Sequence, residues 1–207
     1  VFGTRPEAIK MAPLIKEFGR FPKCFSIKVC VTAQHRQMLD QVMSFFEISP
    51  DYDLNLMRPK QTLHSLTSLI VGEMEAVLED FKPDFVFVHG DTTTSMASAL
   101  AAFYSGSKVC HVEAGLRTNN KLAPFPEEMN RTLTAQIGDY HFAPTPQSKQ
   151  NLIRENVSPL RVFVTGNTVI DALLFTLKKV SHCDVDSVTY LKDRFGKLEN
   201  IILITAH

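Results

Sequence analysis

The sequence predicts an α/β protein built on a doubly wound parallel sheet. Short apolar runs rich in β-branched residues recur along the chain, and stretches with helical spacing separate them. Unbroken apolar runs of this kind are typical of strands that are buried on both faces, with helices on each side of the sheet. The regular alternation of the two patterns indicates repeated strand–helix units, which favour a parallel sheet.

Six apolar runs are the candidate strands. They cover residues 27–31, 85–88, 109–112, 140–143, 162–165 and 201–204. Residues 1–3 have the composition of the tail of a further strand. Because the sequence starts within one apolar strand and stops as another ends, we expect it to be truncated at both ends.

The stretches between the strands have the spacing of amphipathic helices, with apolar residues at i, i+3, i+4 and i+7. The two clearest stripes consist of Leu39, Val42, Met43 and Phe46, and of Leu66, Leu69, Ile70, Met74, Val77, Leu78 and Phe81. A later helix is predicted over residues 169–179, and the polar segment 182–187 breaks the periodicity after it. We expect a domain boundary near Gly166, with residues 1–166 in the first domain and residues 167–207 forming a linker helix and the beginning of a second domain.

The start of the first helix indicates an anion site. Thr4 is followed three residues later by Glu7, which is the spacing of a capping box, and Pro6 lies in the first turn, where its missing N–H costs nothing. A helix N-terminus attracts anions, and Arg5 and Lys10 add two positive charges. These features predict phosphate binding, and the alternative is that both cations are solvated surface charges. The glycine-rich loops that bind NAD or ATP are missing.

Composition and charge exclude several classes of protein. The 22 Lys and Arg residues balance the 22 Asp and Glu residues, so no net field attracts nucleic acid or an anionic membrane. No apolar run approaches the roughly 18–20 residues of a membrane span and no signal peptide opens the chain, which predicts a soluble, cytoplasmic protein. The cysteines have no paired spacing and predict free thiols; they are Cys24, Cys30, Cys110 and Cys183.

Two carboxylates directly follow predicted strands, Asp91 after the run at 85–88 and Glu113 after the run at 109–112. Ligands of open α/β sheets bind outside the carboxyl ends of parallel strands, so these acids are candidates for general acid–base catalysis. Asp91 could instead cap the helix that begins after it. Glu113 has little to pair with unless Arg117, Arg131 or a ligand lies near it.

A third carboxylate, Glu127, follows a loop bracketed by two prolines and begins a predicted helix. Taken alone, Glu127 is better explained as a first-turn carboxylate that favours the helix dipole, and Glu128 competes for the same catalytic role. Clustering of Glu127 with Asp91 and Glu113 would raise the pKa of an acid in the group toward neutrality, as a general base requires.

Three histidines lie in or beside predicted strands, at His89, His111 and His141. Their spacing does not resemble that of a zinc site. We therefore expect them to make satisfied hydrogen bonds in the core and predict no metal.

Six segments, in the same order along the chain, together resemble the non-hydrolysing UDP-N-acetylglucosamine 2-epimerases. They are VFGTRPEAIKMAPL at 1–14, VTAQHRQMLD at 31–40, VHGDTTT at 88–94, HVEAGLRT at 111–118, PFPEEMNR at 124–131 and TGNTVIDA at 165–172. The resemblance spans essentially the whole sequence. It implies two Rossmann-like domains of the glycosyltransferase-B type, with the active site in the cleft between them. The first domain is then nearly complete, and the second, which binds UDP, is incomplete.

The activity that the resemblance implies is reversible epimerisation at C2 of UDP-N-acetylglucosamine to UDP-N-acetylmannosamine, supplying an amino sugar for surface polysaccharide. UDP is eliminated to give a 2-acetamidoglucal and is then added back. Such a reaction needs acid–base groups that reach C2, and cations that hold the departing diphosphate. The resemblance gives the first role to Asp91, Glu113 and Glu127, and contacts with the diphosphate and substrate to Arg5 and Lys10.

The resemblance also implies roles outside the carboxylates. His207 matches a histidine that contacts the β-phosphate as it leaves, and Gln34 with Gln37 are candidates for binding a second, activating substrate molecule. A homodimer is implied, and no metal or organic cofactor, nucleic acid or membrane partner is indicated.

Three alternatives stay open. A hydrolysing relative would release free N-acetylmannosamine and UDP. A glycosyltransferase of the same architecture would need an acceptor and would not exchange the C2 proton. The 207 residues alone could be an inactive sugar-nucleotide-binding or structural fragment.

Overall fold

The computed structural model describes residues 1–32, 36–58, 60–181, 186–196, 198, 201–202 and 204. Its helices are α1 (Arg5–Gly19), α2 (Arg36–Phe45), α3 (Leu63–Phe81), α4 (Thr93–Tyr104), α5 (Glu127–Ile137), α6 (Pro146–Arg154), α7 (Val169–Ser181) and α8 (Asp186–Phe195). Its strands are β1 (Cys30–Val31), β2 (Tyr52–Asp53), β3 (Phe85–His89), β4 (Lys108–Val112), β5 (Tyr140–Ala143) and β6 (Val162–Val164).

All the strand pairs between these elements are parallel. Strands β3, β4, β5 and β6 are neighbours in that order, and β1 pairs with β2. Residues 1–3 join the two groups. Phe2 bridges Val31 in parallel on one side, and the nitrogen of Val1 donates to the carbonyl oxygen of Phe87 at 2.8 Å on the other.

The order across the sheet is therefore β2, β1, residues 1–3, β3, β4, β5 and β6. After residues 1–3, the chain adds β1 and β2 on one side. It then crosses to the other side of residues 1–3 and adds β3, β4, β5 and β6 in order. The gap between residues 1–3 and β3 is the topological switch point, where ligands of doubly wound folds bind.

Helices cover both faces of the sheet, as the doubly wound prediction requires. On one face, α1, α2 and α7 pack through buried residues that include Phe2, Met11, Leu39, Phe46 and Ala172. A second core lies around α3 and α4. It includes Ile70, Met74, Leu78, Val88, Ala97 and Val109. Burial of these apolar stripes is the main force that holds the helices on the sheet.

Several predicted elements are confirmed, and others are corrected. The strand at 140–143 forms with the predicted bounds, and β3 and β4 differ from theirs by one residue. The strand predicted at 27–31 shortens to Cys30–Val31, because the Asp51 carboxylate accepts the N–H of Val29 at 2.8 Å where a strand partner would be needed. Helix α8 begins at Asp186, within the polar segment expected to break helical periodicity.

The strand predicted over residues 201–204 is wrong for its described residues. Ile201, Ile202 and Ile204 are exposed and have no strand conformation. An apolar β-branched run becomes a strand only where a neighbouring strand satisfies its backbone groups, and among the described residues none pairs with this run.

Helix α7 packs back onto the first part of the chain. Ala172 is buried in the core that contains Phe2, and the rings of Phe175 and Phe46 lie 5.3 Å apart. The Lys179 ammonium at its far end lies 2.6 Å from the Glu47 carboxylate. The predicted boundary at Gly166, where φ is +80°, precedes this helix and stays a prediction.

The cysteines that the structure describes are free thiols, as predicted. Cys30 and Cys110 are buried, and burial raises their pKa to about 11 and about 12, respectively. Cys24 is exposed, and Cys183 lies outside the described residues. Within the described ranges, no helix has the length and apolar character needed to cross a membrane.

Candidate active site

The candidate site lies at the switch point, where two helices start side by side. Residues 1–3 lead into α1, and β3 leads through Gly90 into α4. Gly90 has φ +68°, a conformation that suits glycine, and the turn it makes carries Asp91 to the edge of the sheet. The side chains that follow these two segments, together with the end of β4, form the site.

A buried carboxylate, Glu7, joins the two helix starts. Its Oε2 accepts hydrogen bonds from the N–H groups of Gly3 and Thr4 at 3.0 and 2.8 Å, and from the Thr4 hydroxyl at 2.8 Å. Its Oε1 accepts from the hydroxyls of Thr92 and Ser95 at 2.6 and 3.1 Å. The predicted capping interaction of Glu7 with Thr4 is confirmed, whereas its bonds to α4 were not foreseen.

Glu113 lies directly after β4, with a backbone φ of +61° that turns its side chain out of the strand direction. The ammonium of Lys10 donates to Oε1 and Oε2 of this carboxylate at 2.7 and 2.9 Å, and the amide of Asn167 donates to Oε1 at 2.6 Å. His89 Nε2 lies 3.5 Å from Oε2. The Glu113 side chain is 12% exposed. Glu113 is thus a paired, largely buried carboxylate at the edge of the site.

The pKa of Glu113 is set by two opposed effects. Burial raises this pKa, but the hydrogen bonds and charge of Lys10, together with His89 and Asn167, lower it by more, so that the net direction is downward. The expectation that neighbouring acids raise the pKa is therefore wrong for Glu113 in this structure, because its nearest partner is a cation. Neither Arg117 nor Arg131 is that partner.

Asp91 is held by the start of α5. Its carboxylate pairs with the guanidinium of Arg131, and the amide of Asn130 donates to its backbone carbonyl oxygen at 3.0 Å. Asp91 does not cap α4. Thr92 is the N-cap, and its hydroxyl accepts the N–H of Ser95 at 3.0 Å. The Asp91 side chain is 32% exposed and can be reached from the site.

The two glutamates at the start of α5 have different environments. Glu128 is buried, accepts the N–H groups of Thr118 and Asn119 at 3.0 and 2.9 Å, and lies 3.3 Å from Arg131. Both N–H groups bond to Oε1, which ties the loop before α5 to the helix, whereas Oε2 faces Arg131 and has no hydrogen bond among the described residues. Glu127 is half-buried, and among the described residues it has no hydrogen bond or ion pair, so it is the free carboxylate of the pair.

The remaining predicted site residues are partly described. Lys10 is bound to Glu113, so the alternative that it is a solvated surface charge is wrong. Arg5, the first residue of α1, is exposed, and so is Gln37 in the first turn of α2. Gln34 and His207 lie outside the described residues.

The three strand histidines are buried. His111 Nε2 lies 2.7 Å from the carbonyl oxygen of Gly90, which confirms one of the expected core hydrogen bonds. His89 Nε2, His111 Nδ1 and both ring nitrogens of His141 have no hydrogen-bond partner among the described residues. The expectation of satisfied bonds is therefore wrong for His89 and His141, and it holds for one nitrogen of His111. Burial lowers the pKa of His111 to about 3 and that of His141 to about 4. No group of three or more metal-binding side chains occurs in the described part of the chain.

Further contacts missed from the sequence include those of Asn167 with Glu113 and of Arg117 with Glu155. Asn167 follows β6, so the same argument that singled out Asp91 and Glu113 at strand ends could have found it. Arg117, one of the possible partners considered for Glu113, instead donates to both carboxylate oxygens of Glu155, each at 2.7 Å. Its pairing fixes the segment after Glu113 to the end of α6.

A large apolar cavity of about 670 Å³ lies away from this site, around the start of β3. Its lining includes Phe18, Phe25, Phe85 and Phe142. None of the candidate acids or cations lines it, so its size does not make it the site of the chemistry.

A doubly wound parallel sheet with helix N-termini, cations and carboxylates at its switch point defines a Rossmann-like domain. Comparison with known proteins agrees. A family model described as UDP-N-acetylglucosamine 2-epimerase matches residues 20–207, and the chain belongs to that family. The resemblance seen in the sequence motifs is confirmed.

Curated relatives support the assignment. The chain is 56% identical over 209 residues to the UDP-N-acetylglucosamine 2-epimerase of Salmonella borreze, covering 100% of the chain and 55% of that protein. It is 59% identical over 184 residues to the Escherichia coli K12 enzyme of the same name, covering 89% of the chain and 49% of that protein. The chain thus spans about half the length of the curated relatives it matches.

Solved structures share the fold. The UDP-GlcNAc 2-epimerase from Neisseria meningitidis bound to UDP-GlcNAc matches with a TM-score of 0.88 and 53% identity, over 96% of this chain and 53% of that one. The Methanocaldococcus jannaschii UDP-GlcNAc 2-epimerase in complex with UDP-GlcNAc and UDP matches with a TM-score of 0.82 and 37% identity, over 93% and 52%. The predicted fold class, an α/β fold of the glycosyltransferase-B type, is confirmed.

Replacing Glu7 by glutamine tests its structural role. The substitution turns one buried acceptor oxygen into an amide N–H₂ group, which faces the donors that bonded to that oxygen. Because those donors lose their acceptor, we expect the free energy of unfolding to fall by about 1–3 kcal/mol. Glu17→Gln, on the exposed side of the same helix, should change it by less than about 0.5 kcal/mol. Urea unfolding measures both, and equal stabilities of the two variants would contradict the role of Glu7.

The buried histidines predict acid sensitivity. The folded pKa of His141, about 4, lies below the usual value of about 6.5, so the unfolded state binds more protons between these pH values. His141 should therefore lower the free energy of unfolding by about 3 kcal/mol as the pH drops from 6.5 to 4. His141→Gln should flatten this dependence in urea unfolding, and His64→Gln, at an exposed position, should not. A slope unchanged by His141→Gln would refute the assignment.

Proposed function

We propose that the protein containing this chain interconverts UDP-N-acetylglucosamine and UDP-N-acetylmannosamine at C2 without hydrolysing them. Family membership supports the nature of the substrate, since two of the structures it resembles were solved with UDP-GlcNAc. The observation that carries the proposal is the meeting of a carboxylate, Glu113, with an ammonium group, Lys10, at the switch point beside the start of α1.

The chemistry explains why both kinds of group are needed. The C2 proton of the sugar is weakly acidic, because no adjacent carbonyl group stabilises a carbanion. Elimination avoids that carbanion: a base takes the C2 proton, the C2–H electron pair forms the C1=C2 bond of a 2-acetamidoglucal, and the C1–O electron pair leaves with UDP. In the return step an oxygen of UDP attacks C1, and an acid delivers a proton to C2 on the opposite face. Acid–base groups and cations for the diphosphate meet these requirements.

The described residues can supply these roles. Asp91, Glu113 and Glu127 are the proposed proton-transfer groups, and Arg131 holds Asp91 in place. Lys10, with Arg5 at the N-terminus of α1, is proposed to bind the diphosphate, where the helix dipole adds to the two positive charges.

Further features of the proposal follow the family resemblance. His207, outside the described residues, contacts the departing β-phosphate, and Gln37, with Gln34 outside the described residues, binds a second, activating substrate molecule. The protein is a cytoplasmic homodimer that supplies surface polysaccharide synthesis and uses no cofactor. Residues 1–166 and 167–207 belong to two domains, and the 207-residue chain alone is inactive because it carries one side of the cleft.

Proton exchange at C2 tests the proposed reaction. The full-length protein is incubated with UDP-N-acetylglucosamine in D₂O, and C2 is followed by NMR. We expect deuterium at C2 as the UDP-linked epimer appears, because each cycle returns a solvent proton. Epimer without deuterium at C2 would rule out the elimination, and free N-acetylmannosamine as the product would favour the hydrolysing reaction instead.

Single substitutions connect that exchange to the carboxylates. Asp91→Asn, Glu113→Gln and Glu127→Gln should each slow turnover and exchange by about 10² or more. Glu79→Gln, at an exposed position of α3, is the matched control and should leave both rates unchanged. An unchanged rate in one of the three variants would remove that residue from the proton-transfer groups.

A further inference from the structure

His89 has a buried nitrogen that the fold leaves unused. This last residue of β3 is 3% exposed, and its Nε2 has no hydrogen-bond partner among the described residues. Buried polar atoms are nearly always hydrogen-bonded, so an open one calls for a physical reason. Oε2 of the Glu113 carboxylate lies 3.5 Å from this nitrogen, beyond the usual length of a hydrogen bond.

The two oxygens of Glu113 are not equally supported. Oε1 accepts from both Lys10 and Asn167, at 2.7 and 2.6 Å, whereas the hydrogen bond to Oε2 comes from Lys10 at 2.9 Å. Lys10 is also the cation that the proposed function assigns to the diphosphate. Two of its three donors bond to Glu113, so binding a second diphosphate oxygen takes a donor away from the carboxylate. Oε2 is the oxygen that loses its donor when Lys10 turns to the phosphates.

We propose that His89 is a positioning residue for Glu113. When Lys10 binds the diphosphate, the Nε2–H of His89 closes on Oε2 and keeps the carboxylate aimed at C2 of the sugar. Hydrogen bonds in catalytic sites are often long before substrate binds and tighten in the complex, as this closure requires. The inference rests on the proposed function, since it needs a diphosphate that draws Lys10 away.

The surroundings of His89 suit a neutral donor. Burial lowers its pKa, and the charge of Lys10 lowers it too, whereas Glu113, Glu7 and Asp91 act in the opposite direction. The net direction is downward, so the ring is neutral at physiological pH and carries one N–H. A neutral imidazole donates a hydrogen bond to the Glu113 carboxylate and keeps its own proton. The carboxylate therefore stays available to take the proton from C2.

Kinetics of His89 variants in the full-length protein test the inference. His89→Leu should lower kcat for epimerisation by about tenfold, less than the roughly 10²-fold loss from removing the base itself, with KM changed by less than about twofold. The acid limb of the kcat profile should move to higher pH, because a carboxylate without its donor binds a proton more tightly. His89→Gln, whose amide can reach the same oxygen, should keep the acid limb near that of the wild type.

His141→Leu is the matched control, because it also removes a buried strand histidine. It should leave the acid limb in place even if the fold is weakened. If His89→Leu does not fold, His89→Gln and His89→Asn decide the matter, since the shorter asparagine amide cannot reach Oε2 and should shift the limb. Identical acid limbs in these two variants, or an unshifted limb in folded His89→Leu, would overturn the inference. An inactive wild-type protein would instead count against the proposed function.

Discussion

The site depends on one buried carboxylate, that of Glu7, which joins the starts of α1 and α4 across the switch point. One of its oxygens accepts the N–H groups of Gly3 and Thr4 just before α1, and the other accepts the hydroxyls of Thr92 and Ser95 at the start of α4. Glu7 therefore links the two helix starts from within α1. The turn between β3 and α4 carries Asp91 to the edge of the sheet, next to His89 at the end of β3.

The charged groups of the site form two ion pairs. Lys10 is bound to Glu113, and Arg131 is bound to Asp91. Each pair fixes the orientation of a carboxylate, but the two cations are held differently. Arg131 is also tied to Glu128 at the start of α5, which makes it a fixed part of the scaffold. Lys10 lies on the first turns of α1, next to the expected diphosphate, and can exchange its partner. The proposed chemistry therefore links substrate binding to the release of Glu113.

Local patterns predicted what depends on near neighbours along the chain. The strand at 140–143, the amphipathic face of α3 and the bond between Thr4 and Glu7 follow from residues a few positions apart. Contacts between distant segments were not predictable in this way. Asn167 and Glu113 are 54 residues apart, Arg131 and Asp91 are 40 apart, and only the folded sheet brings them together. The capping role of Asp91 was open for the same reason, because its carboxylate is paired with the distant Arg131 and Thr92 caps α4 instead.

In the proposed mechanism, the switch point beside α1 binds the sugar nucleotide, and the diphosphate takes Lys10 away from Glu113. A crystal structure of the full-length protein with UDP-N-acetylglucosamine tests this exchange directly. We expect Lys10 Nζ to lie within hydrogen-bond distance of the diphosphate, and a Glu113 oxygen to lie within about 3.5 Å of C2. A nucleotide bound away from the start of α1, or a Lys10 that keeps both bonds to Glu113 while other groups hold the diphosphate, would contradict it.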